Sequence, residues 1–381
     1  MNLSDEHKTV QEVAKKVARK ELEPKAHETD KGQVFPREGM QKLAEAGFLG
    51  MTLPEAFGGE GKDTLSFVLA AEAVAQACAS TALVFITHAM VTKALAVAGS
   101  EEQRKRILPG LISGSKLAAL ASTESTSGSN PFAVITRATR DGDDFVVNGT
   151  KMFITAADEA DVYLVLVRTD QSKGPADLSA LIIEKGTPGF SFGKKEDTMG
   201  LRGTSDGELV FRNCRVSRSN LLGGENGYPA VAPRFVGLAM LGVSGISLGI
   251  AQAALDAATE HAKTRKIAGQ PIGQYQGVQY LVAEMATSLA AARALTYSAA
   301  EQLDRAQPPS PLPLYMAKLN ATEMAIEVAN KALQVHGGTG YSRELPLERY
   351  CRDARGLTLH FTPTEMLKGM LGKMLMGMPP L

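Results

Sequence analysis

Apolar residues recur at helical spacing throughout the first 115 positions of the chain. Between residues 4 and 25 they stand three to five positions apart among charged side chains, at Val10, Val13, Val17 and Leu22. This period predicts an amphipathic helix that Ser4 or Asp5 caps and that Pro24 ends. The same period predicts three further helices, over residues 36–47, 63–79 and 80–98. Ser100 and Gln103 have the spacing of a capping box, which predicts a short helix that ends near Pro109.

From about residue 116 the apolar pattern changes from helical to strand-like. Short β-branched segments are separated by turn pairs such as Asp141-Gly142 and Asn148-Gly149. The segments are residues 134–139, 145–155, 162–167, 178–183 and 208–211. Short strands joined by such turns predict an antiparallel β domain of barrel type.

Helical spacing resumes between residues 223 and 228. One face of a long helix is marked by Val243, Ile246, Ile250, Ala253 and Ala257. Further long helices are predicted over about residues 276–305 and 313–335, and a charged helix after Pro346. We expect a four-helix bundle, with Pro308 to Pro311 as a stiff loop within it.

The order of the patterns predicts the fold class. Helical, then β, then helical segments indicate an α+β chain of three domains. The expected domains are an N-terminal α-helical domain (1–115), a middle antiparallel β domain (116–222) and a C-terminal helical bundle (223–381).

Charge and composition narrow the range of partners. The 41 Lys and Arg residues balance 41 Asp and Glu, so no overall field favours nucleic acid or an anionic membrane as a partner. The most apolar run, about residues 73–87, contains Gln76 and has polar flanks, which is typical of a buried helix and not of a membrane span.

The three cysteines and the first residues indicate the compartment. Cys78, Cys214 and Cys351 are far apart and lack metal-ligand spacing, so they predict reduced thiols and no metal site. The first nine residues are charged and contain no apolar targeting segment. We therefore expect a cytoplasmic protein.

A glycine-rich stretch, residues 334–365, carries the most specific pattern. It reads Gln-x-x-Gly-Gly-x-Gly-Tyr from Gln334, then Pro-x-Glu-Arg from Pro346, then Arg-Asp-Ala-Arg ending at Arg355. Glycines in such a stretch let the backbone approach another group closely. The string resembles the carboxyl-terminal motif of the acyl-CoA dehydrogenase family. The resemblance implies that family's fold and an FAD-dependent oxidoreductase that acts on CoA thioesters.

Two strings in the β region extend the resemblance. Residues 123–130, T-E-S-T-S-G-S-N, are similar to the family's T-E-P-x-A-G-S-D, and residues 151–155, K-M-F-I-T, to its K-x-W-I-T. The implied flavin contacts are Leu120, Ser122, Thr123, Gly128, Ser129 and Ile154. The resemblance also implies that Phe153 shields the flavin ring, that Thr155 hydrogen-bonds near N5, and that Ser129 touches the CoA moiety.

A third string concerns a neighbouring subunit. Arg265 and Gln276, with Ala268 and Ile272 between them, are similar to the family's R-x-x-F-G-x-x-I-x-x-x-Q. The resemblance implies that both side chains reach the FAD of a neighbouring subunit, and therefore implies a homotetramer. The remaining implied cofactor residues are Gln334, Gly337, Gly338, Pro363, Thr364 and Glu365.

The usual catalytic carboxylate of the family is missing. Where medium-chain members carry Glu, this chain has Phe361, whose side chain cannot take a proton. The family's second location for the acid, just before an Arg on the long helix, aligns with Ala239 and Met240. Dehydrogenation removes an α-proton and therefore needs a positioned base. The backbone N–H of residue 361 can still polarise the thioester carbonyl.

Three explanations of the missing acid stay open. A group from elsewhere can act as the base, and His88 is a candidate because histidine titrates near neutrality, although a lone histidine in an apolar helix is more often structural. The reaction can need no such base, as in enoyl-CoA reduction or desulfinase-like C–S cleavage. The protein can bind without turnover.

The leading prediction is α,β-dehydrogenation of an acyl-CoA thioester with hydride transfer to flavin N5 and an unorthodox base. An electron-transferring flavoprotein is the expected partner if the reaction is oxidative. The implied substrate-binding residues are Ser129, Ala239, Met240, Phe361 and Thr362. The apolar side chains among them favour a bulky or alicyclic acyl group.

Overall fold

Helices occupy both ends of the chain and strands its middle. The computed structural model describes residues 3–128, 130–169, 177–305 and 310–378. The N-terminal helices are α1 (Asp5–Val17), α2 (Ala26–Lys31), α3 (Arg37–Glu45), α4 (Thr64–Ala77), α5 (Ala79–Ala98) and α6 (Glu101–Ile112). The C-terminal helices are α7 (Tyr228–Val231), α8 (Pro233–Thr264), α9 (Gln276–Arg305), α10 (Pro311–His336), α11 (Gly338–Tyr341), α12 (Leu347–Leu357) and α13 (Thr364–Leu375).

The main sheet has eight strands. They are β1 (Ala118–Ala121), β2 (Arg137–Asp141), β3 (Asp144–Ile154), β4 (Val162–Arg168), β5 (Leu178–Glu184), β6 (Phe190–Lys195), β7 (Gly207–Ser217) and β8 (Leu221–Leu222). Their order is β6-β7-β3-β2-β4-β5-β8, and β1 pairs with β4. Two pairings, β1 with β4 and β2 with β4, are parallel, so the expectation of a wholly antiparallel domain was wrong. Strands β9 (Lys266–Ile267) and β10 (Gln270–Pro271) form a separate hairpin.

Two helix ends differ from the prediction, both at prolines. Pro24 does not end one continuous α-helix: α1 stops at Val17, and a π-helical turn and a 3₁₀ turn containing Pro24 follow it. A proline removes a backbone donor and clashes with the preceding turn, so the helix changes its period before it. Pro109 does not end α6, which continues to Ile112. The capping box of Ser100 and Gln103 at the start of α6 is confirmed.

The core lies where α4 and α5 pack beneath α8. Nearly every residue of α4 and α5 is buried, because these helices are apolar on all sides. On α8, Val243, Ile246 and Ile250 are fully buried, as their spacing predicted. Further along this helix the buried face moves to Ala254 and Ala258, so Ala253 and Ala257 are only partly covered.

Among the described residues of the C-terminal part, three long helices, α8, α9 and α10, are continuous. The expected fourth is divided into α12 and α13 by a turn over residues 358–363. By length and composition two helices, α5 and the Phe235–Thr264 part of α8, could cross a membrane. Most of each is buried inside the protein, as is usual for core helices.

A buried carboxylate joins α4 to α9. Glu72 accepts hydrogen bonds from Arg293 Nε at 3.0 Å and Arg293 Nη2 at 2.7 Å, and from the Tyr297 hydroxyl at 2.7 Å. Burial and the neighbouring Glu72 raise the pKa of Tyr297, so the hydroxyl remains a donor. The network satisfies the charge of Glu72, which would strongly destabilise the fold if it were buried without partners.

We therefore predict that Glu72→Ala lowers the free energy of unfolding by about 3 kcal/mol, because it leaves Arg293 without its buried partner. Chemical denaturation followed by circular dichroism measures the change. Glu101→Ala is the matched control, since Glu101 pairs with Lys105 at the surface and its loss costs less than about 1 kcal/mol. Equal effects of the two substitutions would contradict the prediction.

Candidate active site

A fully buried ion pair fixes the loop of residues 122–128 to β3. Lys151 Nζ lies 2.6 Å from Glu124 Oε1 and 3.3 Å from the Ser122 carbonyl. Glu124 also accepts the backbone N–H groups of Ile135 and Thr136, at 2.6 and 3.1 Å. Burial lowers the pKa of Lys151 to about 8, against the attraction of Glu124. Burial also raises the pKa of Glu124, but Lys151 and the hydrogen bonds outweigh it and lower that pKa.

The anchored loop lies directly beside the predicted flavin-contacting end of β3. The Met152 N–H donates to the Thr123 carbonyl at 3.0 Å, which places Thr123 next to Phe153. Phe153 has a φ of 53° and is 55% exposed, so its ring stands out from the strand. Ile154 and Thr155 are buried behind it. The backbone at Gly128 is open to its surroundings, and Ser129 lies outside the described residues.

Phe361 is the middle residue of a tight three-residue turn, residues 360–362, within the segment that joins α12 to α13. The Thr362 N–H donates to the His360 carbonyl at 2.8 Å, and Phe361 between them has a φ of 60°, which is unusual for a bulky residue. The N–H of Phe361 has no hydrogen-bond partner among the described residues. This N–H is therefore free for the predicted contact with a thioester carbonyl.

Lys318 holds this turn from below. Its Nζ donates to the carbonyls of Thr362 at 2.8 Å and Thr358 at 3.5 Å. The side chain is completely buried, and burial lowers the pKa of Lys318 to about 8. The lysine supplies a hydrogen-bond donor for carbonyls that the turn leaves outside regular structure.

The predicted flavin side and substrate side meet at one apolar cluster. Leu120, Ala239 and Phe361 all pack against a buried group that includes Met90 and Val91. These residues come from β1, α8, the turn after α12, and α5. Met240 is also buried. Residues far apart in sequence thus pack against one cluster.

A second group of predicted residues lies at the opposite end of α8. Arg265, Gln276 and Gln334 are exposed there, and Gly337 and Gly338 have open space above their Cα atoms. The rings of His261 on α8 and His336 on α10 stack at 4.2 Å, which holds the ends of the two helices together. The 25 residues from Met240 to Arg265 span about 38 Å. The two groups cannot surround the same stretch of one bound molecule.

His88 is not placed to act as a base. It is fully buried, its Nδ1 accepts the Ala118 N–H at 3.2 Å, and its Nε2 lies 3.1 Å from the Leu111 carbonyl. Burial lowers the pKa of His88 to about 4. Both ring nitrogens thus connect α5 to β1 and α6, so the hypothesis of a catalytic His88 was wrong.

The described residues fit a bound flavin nucleotide. Thr364 Oγ1 and Asp206 Oδ1 are buried without a hydrogen-bond partner in the described part of the chain. Thr364 follows the Phe361 turn, and Asp206 lies near Thr155. At Gly128, Gly337 and Gly338 nothing lies within 4 Å of where a Cβ would be, so another group can approach the backbone closely there. No cluster of His, Cys, Asp or Glu that could hold a metal occurs among the described residues.

Sequence reasoning missed several charged residues of the site. Lys151 and Glu124 stood inside the quoted motifs, and their position within otherwise small or apolar strings was an available signal. Asp206 and His360 each lie next to a predicted element, but no spacing rule connects them. Lys318 carried no local signal, because a lysine on a long helix is usually exposed.

Family comparisons cover nearly the whole chain. The models described as acyl-CoA dehydrogenase N-terminal, middle and C-terminal domains match residues 4–115, 119–214 and 230–376. An acryloyl-CoA reductase (NADH) of Anaerotignum propionicum is 40% identical over 98% of this chain and 95% of its own length. An isobutyryl-CoA dehydrogenase, mitochondrial, of Dictyostelium discoideum is 40% identical over 93% and 85%. A cyclohex-1-ene-1-carbonyl-CoA dehydrogenase of Geobacter metallireducens is 38% identical over 97% of both.

Solved structures agree with these comparisons. Butyryl-CoA dehydrogenase from Megasphaera elsdenii matches with a TM-score of 0.94 and 34% identity, over 99% of both chains. A chain in the structure described as "Electron transferring flavoprotein of Acidaminococcus fermentans" matches with a TM-score of 0.95 and 36% identity, over 98% of this chain and 99% of that one. The fold predicted for the chain is confirmed.

The two hydrogen bonds of neutral His88 predict a pH-dependent stability. The folded pKa of about 4 lies below the ordinary value of 6.5, so the unfolded chain binds the proton first. Stability from this residue is complete above pH 6.5 and falls as the pH drops towards 4, by up to about 3 kcal/mol. We expect His88→Gln to be less stable at pH 7 and to show a smaller loss between pH 6.5 and 4. Denaturation midpoints across this range test it, with exposed His27→Gln as the control.

Proposed function

The chain belongs to the acyl-CoA dehydrogenase family, whose members are FAD-dependent oxidoreductases of acyl-CoA thioesters, and we propose that it acts on a bulky or alicyclic acyl group. The observation that carries this proposal is the shared apolar cluster of Leu120, Ala239 and Phe361. Where relatives in the family carry a carboxylate, this wall is hydrocarbon. The similarity to a cyclohex-1-ene-1-carbonyl-CoA dehydrogenase supports the proposal.

The chain's own residues supply polarisation and exclusion of water. Bound FAD would provide the acceptor for the hydride that leaves the β-carbon. The free N–H of Phe361, in the turn that Lys318 holds, would donate to the thioester carbonyl and make the α-proton more acidic. The cluster around Met90 and Val91 would keep water from the acyl group. The α-proton still requires a base, since position 361 offers none.

The two groups of cofactor residues serve different parts of the nucleotide in this proposal. The loop of residues 122–128, with Phe153 to Thr155 and Pro363 to Glu365, would hold the flavin ring. Arg265, Gln276 and the Gln334 to Gly338 segment would hold the pyrophosphate or adenine end. Ser129 belongs with the first group by its place in the motif.

An oligomer follows from the separation of these groups. Arg265 lies about 38 Å along α8 from Met240. Met240 is buried at the other end of the helix, next to Ala239 of the cluster that Leu120 packs against, so in this proposal Arg265 does not reach a flavin bound there in the same protomer. A second copy of the chain would bring its Arg265 end to that flavin. We propose a homotetramer, as is typical of the family.

Family membership also bears on direction, partner and compartment. The relatives favour oxidoreduction at the α,β bond over non-oxidative C–S cleavage. If the direction is oxidative, an electron-transferring flavoprotein would take the electrons, as the family supports. A cytoplasmic location remains our proposal, on the evidence of three free thiols.

We predict that the purified protein is yellow and that anaerobic titration with branched or cyclic acyl-CoA removes its flavin absorbance band. Straight-chain acyl-CoAs of equal carbon number should bleach the flavin to a smaller extent, because the apolar wall favours a wide group. The matched saturated acids without CoA are the controls. No bleaching by any acyl-CoA, with FAD bound, would refute oxidation. Preferential bleaching by straight chains would refute the bulky substrate.

The separation of the two groups gives a second prediction. The double variant Arg265→Ala and Gln276→Ala should lose FAD at least about tenfold more readily, because a charged hydrogen bond contributes about 1.5–3 kcal/mol. Flavin retention after dialysis and gel-filtration mass measure the effect. Lys263→Ala, an exposed change at the same helix end, should retain FAD as the unaltered protein does. Unchanged retention in the double variant would argue against a shared site.

A further inference from the structure

Most titratable groups around the Phe361 turn already have structural partners. His88 uses both ring nitrogens, and Glu124 is paired with Lys151. Lys318 is occupied by two carbonyls. Asp353 accepts the Leu201 N–H at 2.6 Å and is fully buried. None of these five titratable groups is free to take a proton from a substrate.

His360 differs from them. Its Nδ1 lies 2.8 Å from the Gly356 carbonyl, and a carbonyl can only accept, so Nδ1 carries the hydrogen. The lone pair is therefore on Nε2, which has no hydrogen-bond partner in the part of the chain that the structure describes. The ring is half-buried and directly precedes Phe361. A histidine whose Nδ1 donates to a backbone carbonyl and whose Nε2 is unpaired can present Nε2 to the proton of a substrate.

Asp206 is a buried carboxyl on a loop that packs on α12, the helix just before His360. The loop before β7 packs on α12, where the Leu201 side chain fills the space beside Gly356, whose carbonyl holds His360. Asp206 on that loop is buried, and its Oδ1 lacks a hydrogen-bond partner among the described residues. Electrostatic interaction with His360 and hydrogen bonding to the hydroxyls of Thr155 and Thr204 favour its ionised form. Burial raises the pKa of Asp206, and His360 and the two hydroxyls oppose that shift.

We propose that His360 Nε2 is the base that takes the α-proton, and that Asp206 is a positioning residue that stabilises the imidazolium. In this step the α-carbon–hydrogen bond breaks and an N–H bond forms at Nε2. The electron pair stays on the α-carbon and is delocalised onto the thioester oxygen, which the Phe361 N–H stabilises. The assignment rests on the proposed function, and it replaces the carboxylate that position 361 lacks.

Other charged groups on the packed elements set the background for the titration of His360. Asp353 and Arg355 are on α12, Glu365 is on α13 and Lys318 is on α10. Glu196, whose backbone N–H donates to the Asp206 carbonyl, adds a negative charge on the loop side. Replacing Asp206 leaves these other charges unchanged, so a shift in the apparent pKa of the rate profile reports the effect of Asp206 alone.

Exchange of α-protons with D₂O isolates the proton step from hydride transfer. The probe is a 3-thia acyl-CoA, which can lose the α-proton but has no β-hydrogen to give. Nuclear magnetic resonance of the FAD-containing protein with this probe should show that His360→Asn slows exchange at least about 100-fold. Asp206→Asn should slow it about tenfold and lower the apparent pKa of the rate profile. His27→Asn, an exposed histidine on α2, should leave the exchange unchanged.

A rescue variant separates a base from a structural role. His360→Asn combined with Phe361→Glu restores a carboxylate at the family position and should recover exchange, with a rate profile shifted to lower pH. Full exchange in His360→Asn alone would overturn the proposal. If the His360→Asn variant loses its flavin, the Asp206→Asn variant provides the test. An unchanged dependence of the exchange rate on pH in that variant would overturn the proposal. Absence of both exchange and bleaching in the unaltered protein would refute the proposed function, and the base with it.

Discussion

The buried ion pair of Glu124 and Lys151 is the interaction on which the proposed flavin side of the site depends. Burying two charges costs several kcal/mol for each ion unless every lone pair and proton is satisfied. Here the carboxylate receives one ammonium and two backbone N–H groups, and the ammonium also reaches the Ser122 carbonyl. This set of bonds joins the loop to β3, and so the position of Phe153 and Thr155 depends on two charges that are buried inside the protein.

Sequence periodicity predicted the order of helices and strands because long apolar stripes and β-branched runs are local properties. The periodicity did not predict β1. Its residues, Ala118 to Ala121, have a weak strand preference, and they form a strand by pairing with β4. The proposed flavin loop and the proposed role of position 361 come from the resemblance, which is also local. His88 was misjudged because its bonds to Leu111 and Ala118 come from other elements. Asp206 and His360 were missed for the same reason, since only the packing of the β7 loop on α12 brings them together.

Helix α8 connects the two parts of the proposed cofactor site and keeps them apart. Its N-terminal part, with Ala239 and Met240, contributes to the acyl region, and Arg265 follows its C-terminal end. A single straight helix of this length fixes the distance between them. The stacked rings of His261 and His336 then align the glycine-rich end of α10 with that far end. In the proposed oligomer, this far end of one protomer would complete the cofactor site of another copy.

Lys318 holds the main chain on both sides of Phe361 through the carbonyls of Thr358 and Thr362. The orientation of the N–H at position 361 therefore depends on the hydrogen bonds of Lys318 to the main chain and not on the side chain at position 361. Exchanging an acidic side chain for an aromatic one leaves this donor where it was. In the proposed mechanism, polarisation of the thioester carbonyl and removal of the α-proton can therefore depend on different residues. During evolution the base can move to another position while the N–H of residue 361 keeps its role.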